Sequence, residues 1–180
     1  MEAARVKWIL DPAHSEIGFK VEQLMSTYVK GVFREFDACI YTSGESFMIY
    51  EIDLLINPAS IDTGDAARDE HLRSPAFFDI ENYRHITFFG YTYQRMHSKG
   101  SYELFGDLTI KGITRQVKMD VEAGGLSKKS GFNIKGKINR GDWGLTWNTA
   151  LEMSGILVDY DVIINCTVCL CESEMDWQVN

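Results

Sequence analysis

Four histidines, His14, His71, His85 and His97, are the side chains best suited to move a proton or hold a metal near neutral pH. None stands at a metal-ligand spacing such as H-E-x-x-H. His97 falls in the turn-like stretch Met96-His97-Ser98-Lys99-Gly100 and reads as solvated. His14 follows Asp11-Pro12 and precedes a strand-like run; a hydrogen-bonded loop and contact with a ligand head group are both open there. The densest group is Arg68-Asp69-Glu70-His71-Leu72. Asp69 and His71 are two residues apart, and on a helix such positions do not face each other. An acid–base pair built from them therefore needs the fold to bring them within hydrogen-bond reach. Arg68 offers a planar fork of donors matched to phosphate or carboxylate. The group is either a capped surface helix anchored by its charges or a polar collar receiving the head of an amphiphile.

Other chemistry is harder to find. There is no G-x-S-x-G elbow, no Walker loop and no G-x-G-x-x-G, and no nucleophile stands beside an obvious base. Arg140-Gly141-Asp142 reads as a strand end. Four cysteines (Cys39, Cys166, Cys169, Cys171) are too few for a disulfide framework in a chain of 180 residues. Cys166-x-x-Cys169 lies in an alternating apolar run, where residues three apart point to opposite faces of a strand, so the two thiols read as structural.

The elements that must position these groups are mostly strands. Period-two alternation recurs in Ile17/Phe19/Val21, in Val117/Met119/Val121/Ala123 and in Phe132/Ile134/Gly136/Ile138. Val158, Tyr160, Val162, Ile164, Cys166, Val168 and Leu170 hold one face near the C-terminus. One face apolar and the other mostly wet is the pattern of an antiparallel sheet. Eight or nine strands are expected, at roughly 6–10, 16–25, 28–41, 47–56, 86–95, 101–111, 115–125, 132–140 and 157–171, with hairpin turns at 41–46, 96–100 and 124–131. Long strands in succession favour a closed barrel over a curved sandwich, because closure removes exposed edges. Residues 65–73 break the alternation and predict a helix with Asp65 as its N-cap, ending before Ser74-Pro75 and followed by an aromatic turn with Phe77 and Phe78.

Composition bounds the function. With 45% hydrophobic and 24% charged residues, the chain has enough apolar content for one well-buried domain spanning 1–180. The formal net charge of −8 repels phosphate backbones and anionic headgroups, which argues against nucleic acid as a partner. No window reaches the length of a membrane helix, and Asp11-Pro12 interrupts any signal-like apolar run, so a cytoplasmic location is expected. Small residues on the inward wall (Gly106, Gly136, Ala38, Ala123) leave a lumen or merely permit bends.

Several blocks resemble the YceI-like family of bacterial polyisoprenoid-binding, lipocalin-like proteins. They are Trp8-x-Leu10-Asp11-x-x-His14-Ser15-x-x-x-Phe19, Gly31-x-Phe33-x-x-Phe36, Ser60-Ile61-Asp62-Thr63-Gly64 and Arg68-Asp69-x-His71-Leu72-Arg73-Ser74. Phe77-Phe78-Asp79, Ile86-Thr87-Phe88, Gly106-Asp107-Leu108-Thr109-Ile110-x-Gly112-Ile113-Thr114 and Arg140-x-Asp142-Trp143-Gly144-Leu145 follow in the same order. Two departures stand out: Gln23 where members often carry a second histidine, and Arg84 where they tend to have proline. The resemblance implies an extended eight-stranded antiparallel β-barrel with a short helical insertion around 65–80. It also implies a homodimer and a non-enzymatic role.

The combined expectation is an apolar tunnel holding a long-chain amphiphile (an isoprenoid, an isoprenoid quinone or a fatty-acyl lipid), with no further cofactor and no metal. The tunnel-lining residues would be Phe19, Val21, Phe33, Phe36, Ile52, Leu54, Phe78, Phe88, Leu104, Val117, Met119 and Trp143. His14, Arg68, Asp69 and His71 would meet the head group or hold the rim. Two alternatives stay open: a small hydrolase or isomerase using Asp69 and His71, and a filled barrel acting as an interaction module.

Overall fold

The segment Ile110-Lys111-Gly112-Ile113 shows how directly local sequence sets the sheet. Lys111 and Gly112 have φ of 53° and 73°, the left-handed pair that a two-residue hairpin turn requires. Ile110 consequently faces Ile113 across the turn. The computed structural model describes residues 5–23, 27–43, 49–96, 100–124, 130–146 and 158–173. The expected hairpin turns at 41–46, 96–100 and 124–131 lie largely outside them.

The described strands are β1 (Arg5–Leu10), β2 (Glu16–Gln23), β3 (Thr27–Phe33), β4 (Phe36–Ser43), β5 (Ile49–Ile56), β6 (Ile61–Asp62), β7 (Ile86–Arg95), β8 (Ser101–Ile110), β9 (Ile113–Ala123), β10 (Ser130–Asn139) and β11 (Val158–Glu172). One helix, α1 (Ala66–Arg73), joins them. The order β1-β4-β5-β7-β8-β9-β10-β11 closes on itself, because Trp8, Ile9 and Leu10 of β1 pair with Glu172, Cys171 and Leu170 of β11. The protein is thus an eight-stranded antiparallel barrel, which leaves its central strands no open edge.

The barrel is extended on one side by β2, β3 and β6. β11 is 15 residues long, and its edge is shared: Glu16–Val21 of β2 and Gln23 pair with its first part, β1 with its last. The strand expected as one run over 28–41 is broken at the exposed pair Arg34-Glu35, so that β3 belongs to the extension and β4 to the barrel. Backbone groups at the break are satisfied by the chain just before β6: Arg34 N donates to Ser60 O (3.1 Å), Asn57 N to Glu35 O (2.9 Å) and Glu35 N to Ser60 Oγ (2.9 Å).

α1 starts and stops where its sequence dictates. The Asp65 side chain accepts from Arg68 N at 3.1 Å, and the helix ends as Ser74 N and Oγ both donate to His71 O. Arg73 ties the helix to the preceding chain, donating to Ala59 O (2.7 Å) and Ile61 O (2.9 Å). Phe77 and Phe78 then turn inward, edge to face at 4.9 Å between centroids.

The inward alternation fails in two places. Ala123, at the end of β9, is exposed. Tyr160 is also exposed, because the β11–β2 register shifts between Val158 and Val162. All four cysteines are free; Cys166 is buried and Cys169, on the opposite face, half-buried. Among the described residues no helix is long and apolar enough to cross a membrane, and no group of three His, Cys, Asp or Glu side chains is placed to hold a metal.

Candidate functional site

Inside the barrel lies a cavity of roughly 270 Å³. At ~30 Å³ for each water-sized group, it has room for about nine of them, well beyond the small voids of ordinary cores. Its wall comes from almost every strand: Ile40 of β4, Ile52 and Leu54 of β5, Phe88 of β7, Leu104 and Leu108 of β8, Met119 of β9, Ile134 of β10 and Val168 of β11. It continues into the extension along Val21, Val29, Val158 and Val162. α1 and the turn after it close one side with Leu72, Phe77 and Phe78.

Of the twelve residues expected to line a tunnel, nine border this cavity: Phe19, Val21, Phe33, Ile52, Leu54, Phe78, Phe88, Leu104 and Met119. Three lie elsewhere. β9 and β10 pair only from Met119 opposite Gly136 upward, and below that point they part. Val117 and Trp143 border the resulting surface groove instead of the lumen. Trp143 is 1% exposed and donates from Nε1 to Leu108 O at 3.1 Å, so it plugs the wall where the strands diverge. Phe36 starts β4 and borders a surface depression beside Ile80 and His85.

The glycines act differently from expectation. A Cβ on Gly106 would lie 2.5 Å from both Phe88 Cζ and Phe89 O, and one on Gly136 would overlap Met119 Sδ. Gly31 is covered by the Phe19 ring in the same way. The space above each glycine is therefore filled by a neighbouring side chain and is not itself the lumen. The lumen benefits indirectly, because Phe19, Phe88 and Met119 can lie against the wall and not project toward the axis.

The polar candidates separate. His14 sits in a 3-10 turn on the outside, its Nδ1 2.8 Å from Asp11 Oδ2, and does not border the cavity. Asp69 is 6% exposed, and its carboxylate accepts from Thr63 N (3.0 and 3.2 Å) and Thr63 Oγ1 (2.6 Å). It thus fastens α1 to the end of β6. The acid–base pair of Asp69 with His71 is not built, because Asp69 turns both oxygens to Thr63. His71, half-buried on α1, does not border the cavity either. Arg68 does border it, held by Nε to Thr63 Oγ1 (2.8 Å) and Nη2 to Thr63 O (3.0 Å).

A second cavity-lining arginine escaped the sequence reading. Arg140 follows β10, is 6% exposed, and lies with its guanidinium 4.2 Å from the Tyr160 ring centroid. It donates to Asp159 O (3.0 Å), Val158 O (3.2 Å) and Leu145 O. A readable signal existed: Phe132, Ile134, Gly136 and Ile138 set an inward parity, and Arg140 is the next residue on it.

A family model described as the YceI-like domain matches residues 8–169. The UPF0312 protein SAS2572 of Staphylococcus aureus (strain MSSA476) is 37% identical over 159 residues, covering 84% of this chain and 90% of that one. A YCEI protein of Campylobacter jejuni superposes with a TM-score of 0.72 at 30% identity, over 92% of this chain and 96% of the other. BcnA of Burkholderia cenocepacia (TM-score 0.78, 22% identity, 89% and 98% covered) shares the fold. So does a polyisoprenoid binding domain from Saccharophagus degradans (TM-score 0.74, 14% identity, 93% and 99% covered). With matching blocks in order, the closed and extended barrel, and a family model spanning nearly its whole length, this chain belongs to the YceI-like family.

Proposed function

We propose that the protein binds a long-chain amphiphilic lipid, with the apolar tail in the barrel cavity, and acts as a carrier, store or sequestering protein and not as an enzyme. The observation that carries this reading is the lining: among the described residues, the cavity wall is apolar apart from its two arginines. A tail of about nine methylenes, at ~0.8 kcal/mol each, gains ~7 kcal/mol before ordering costs are subtracted, so the tail supplies the main favourable contribution and the net affinity is weaker than that figure alone. The kinship to a polyisoprenoid binding domain supports the same reading at the level of fold. Binding is favoured over hydrolysis or isomerisation because Asp69 is committed to Thr63. Mass spectrometry of lipids extracted from the purified protein is the test. A co-purified long-chain amphiphile is expected; none found, together with no binding of several offered ones, would overturn the proposal.

A further inference from the structure

The cavity's only charged side chains, among the described residues, belong to two arginines. Arg68 enters from α1, and Arg140 from the turn after β10. Both stand at the same end of the barrel. There β5 ends at Ile56 opposite Ile86, β8 ends at Ile110 opposite Ile113, and β10 ends at Asn139 opposite Asp161. Among the described residues neither arginine is in an ion pair with a carboxylate; Arg68 is held by Thr63, and Arg140 by three backbone carbonyls and the Tyr160 face.

A purely structural role for Arg140 accounts for its hydrogen bonds and not for its charge. Donation to three carbonyls uses three of the five N–H bonds of a guanidinium. A neutral amide could make part of that set without burying a cation, which is costly unless something compensates it. Burial pushes the guanidinium's pKa below its ordinary value, and the charges of Tyr160 and Asp159 oppose this only in part. A chamber that, among the described residues, is apolar and holds positive charge without a carboxylate is complementary to a tail with an anionic head.

We infer that the amphiphile this cavity selects carries an acidic head group, a carboxylate or a phosphate, received by Arg140 and Arg68, rather than the neutral head of an alcohol or quinone. The inference rests on the lipid-binding reading above and narrows its ligand class. The negative surface of the protein does not oppose it, because the head is recognised by two local donors and not by the net charge of −8.

Chain-matched ligands test it on the unmodified protein: dodecanoate, dodecyl phosphate, dodecan-1-ol and dodecylamine, titrated by calorimetry at pH 7.5. One charge-assisted hydrogen bond corresponds to ~10-fold or more in affinity. At least one acid is therefore expected to bind ~10-fold tighter than the alcohol, and the amine weakest; which acid wins separates carboxylate from phosphate. Arg68→Gln should lower acid affinity several-fold more than dodecan-1-ol affinity and so erode the preference; an equal loss for both would count against a head-group role for Arg68. Arg140→Gln should erode it further, and should it fail to fold, the wild-type series and Arg68→Gln decide. Acid and alcohol binding equally, or the amine binding best, would overturn the acidic-head inference and leave lipid binding standing. No chain binding at all would overturn both.

Discussion

Replacing Ala38 by phenylalanine puts a ring into the barrel cavity. Ala38 lies in β4, is 5% exposed and borders the cavity, opposite Leu54 of β5. A phenyl ring takes about three water-sized shares of ~30 Å³, near a third of the roughly 270 Å³ present. A tail shut out of that length loses contact for about three methylenes, or ~2.4 kcal/mol at ~0.8 kcal/mol each, and its affinity should fall ~60-fold. Overpacking itself costs ~1–3 kcal/mol of stability, so a thermal melt must accompany a calorimetric titration with dodecanoate. Leu55→Phe is the matched control: Leu55 is the next residue along β5, is 42% exposed and faces outward, and its affinity should not change. A folded Ala38→Phe variant that binds dodecanoate as tightly as the parent would refute the placement of the tail in this lumen.

Gly136→Ala should force Met119 off the wall and toward the lumen, since the added methyl overlaps Met119 Sδ while the next nearest atoms, Met119 Cε and Lys118 O, lie at ordinary distances. Because methionine is flexible, dodecanoate affinity should drop by several-fold with less than ~2 kcal/mol lost in urea denaturation; a pairing with Met119→Ala should restore affinity. Trp143→Phe leaves Leu108 O without the indole donor and should cost ~1–3 kcal/mol, and Trp143→Ala ~3–5 kcal/mol, in denaturant titrations; a cost below ~0.5 kcal/mol for both would mean the residue plugs nothing. The Cys166 thiol is pushed up to about 11 by burial, leaving ~0.1% thiolate at pH 8. Timed alkylation read by peptide mass spectrometry should label Cys39, Cys169 and Cys171 first and Cys166 only after unfolding; equal rates would contradict the buried placement.

Most of the barrel was legible because strand alternation and barrel geometry share one cause, the pleat that sends successive side chains to opposite faces. Asp65, Ser74 and Pro75 likewise marked the ends of α1 through backbone chemistry that acts within a few residues. What stayed hidden depends on neighbours distant in sequence. Arg34-Glu35 gives no local sign that one strand run will part into β3 and β4; the break is made good by Asn57 and Ser60. Val117 satisfies the inward pattern, yet the separation of β9 from β10 gives it to the Trp143 groove. Tyr160 obeys the alternation in sequence and leaves it through a register shift set by pairing with β2.

The site was legible in its apolar part for the same reason, and less so in its polar part. Phe88, Leu104 and Met119 were placed at the lumen by parity alone. His14 and Asp69 attract notice as residue types, but local bonds to Asp11 and Thr63 occupy them. Arg140 was read only as part of a strand end within an Arg-Gly-Asp sequence, although its parity aimed it inward. Gly106 and Gly136 left open a lumen or a bend and instead receive Phe88 and Met119, a distinction that only side-chain packing resolves.

The most direct measurement is an experimental electron-density map of the protein saturated with dodecanoate. A continuous tube of density should run past Phe88 and Leu104, with the carboxylate end within hydrogen-bond distance of Arg140 or Arg68. A barrel centre filled by its own side chains, or dodecanoate found only on the outer surface, would contradict the account.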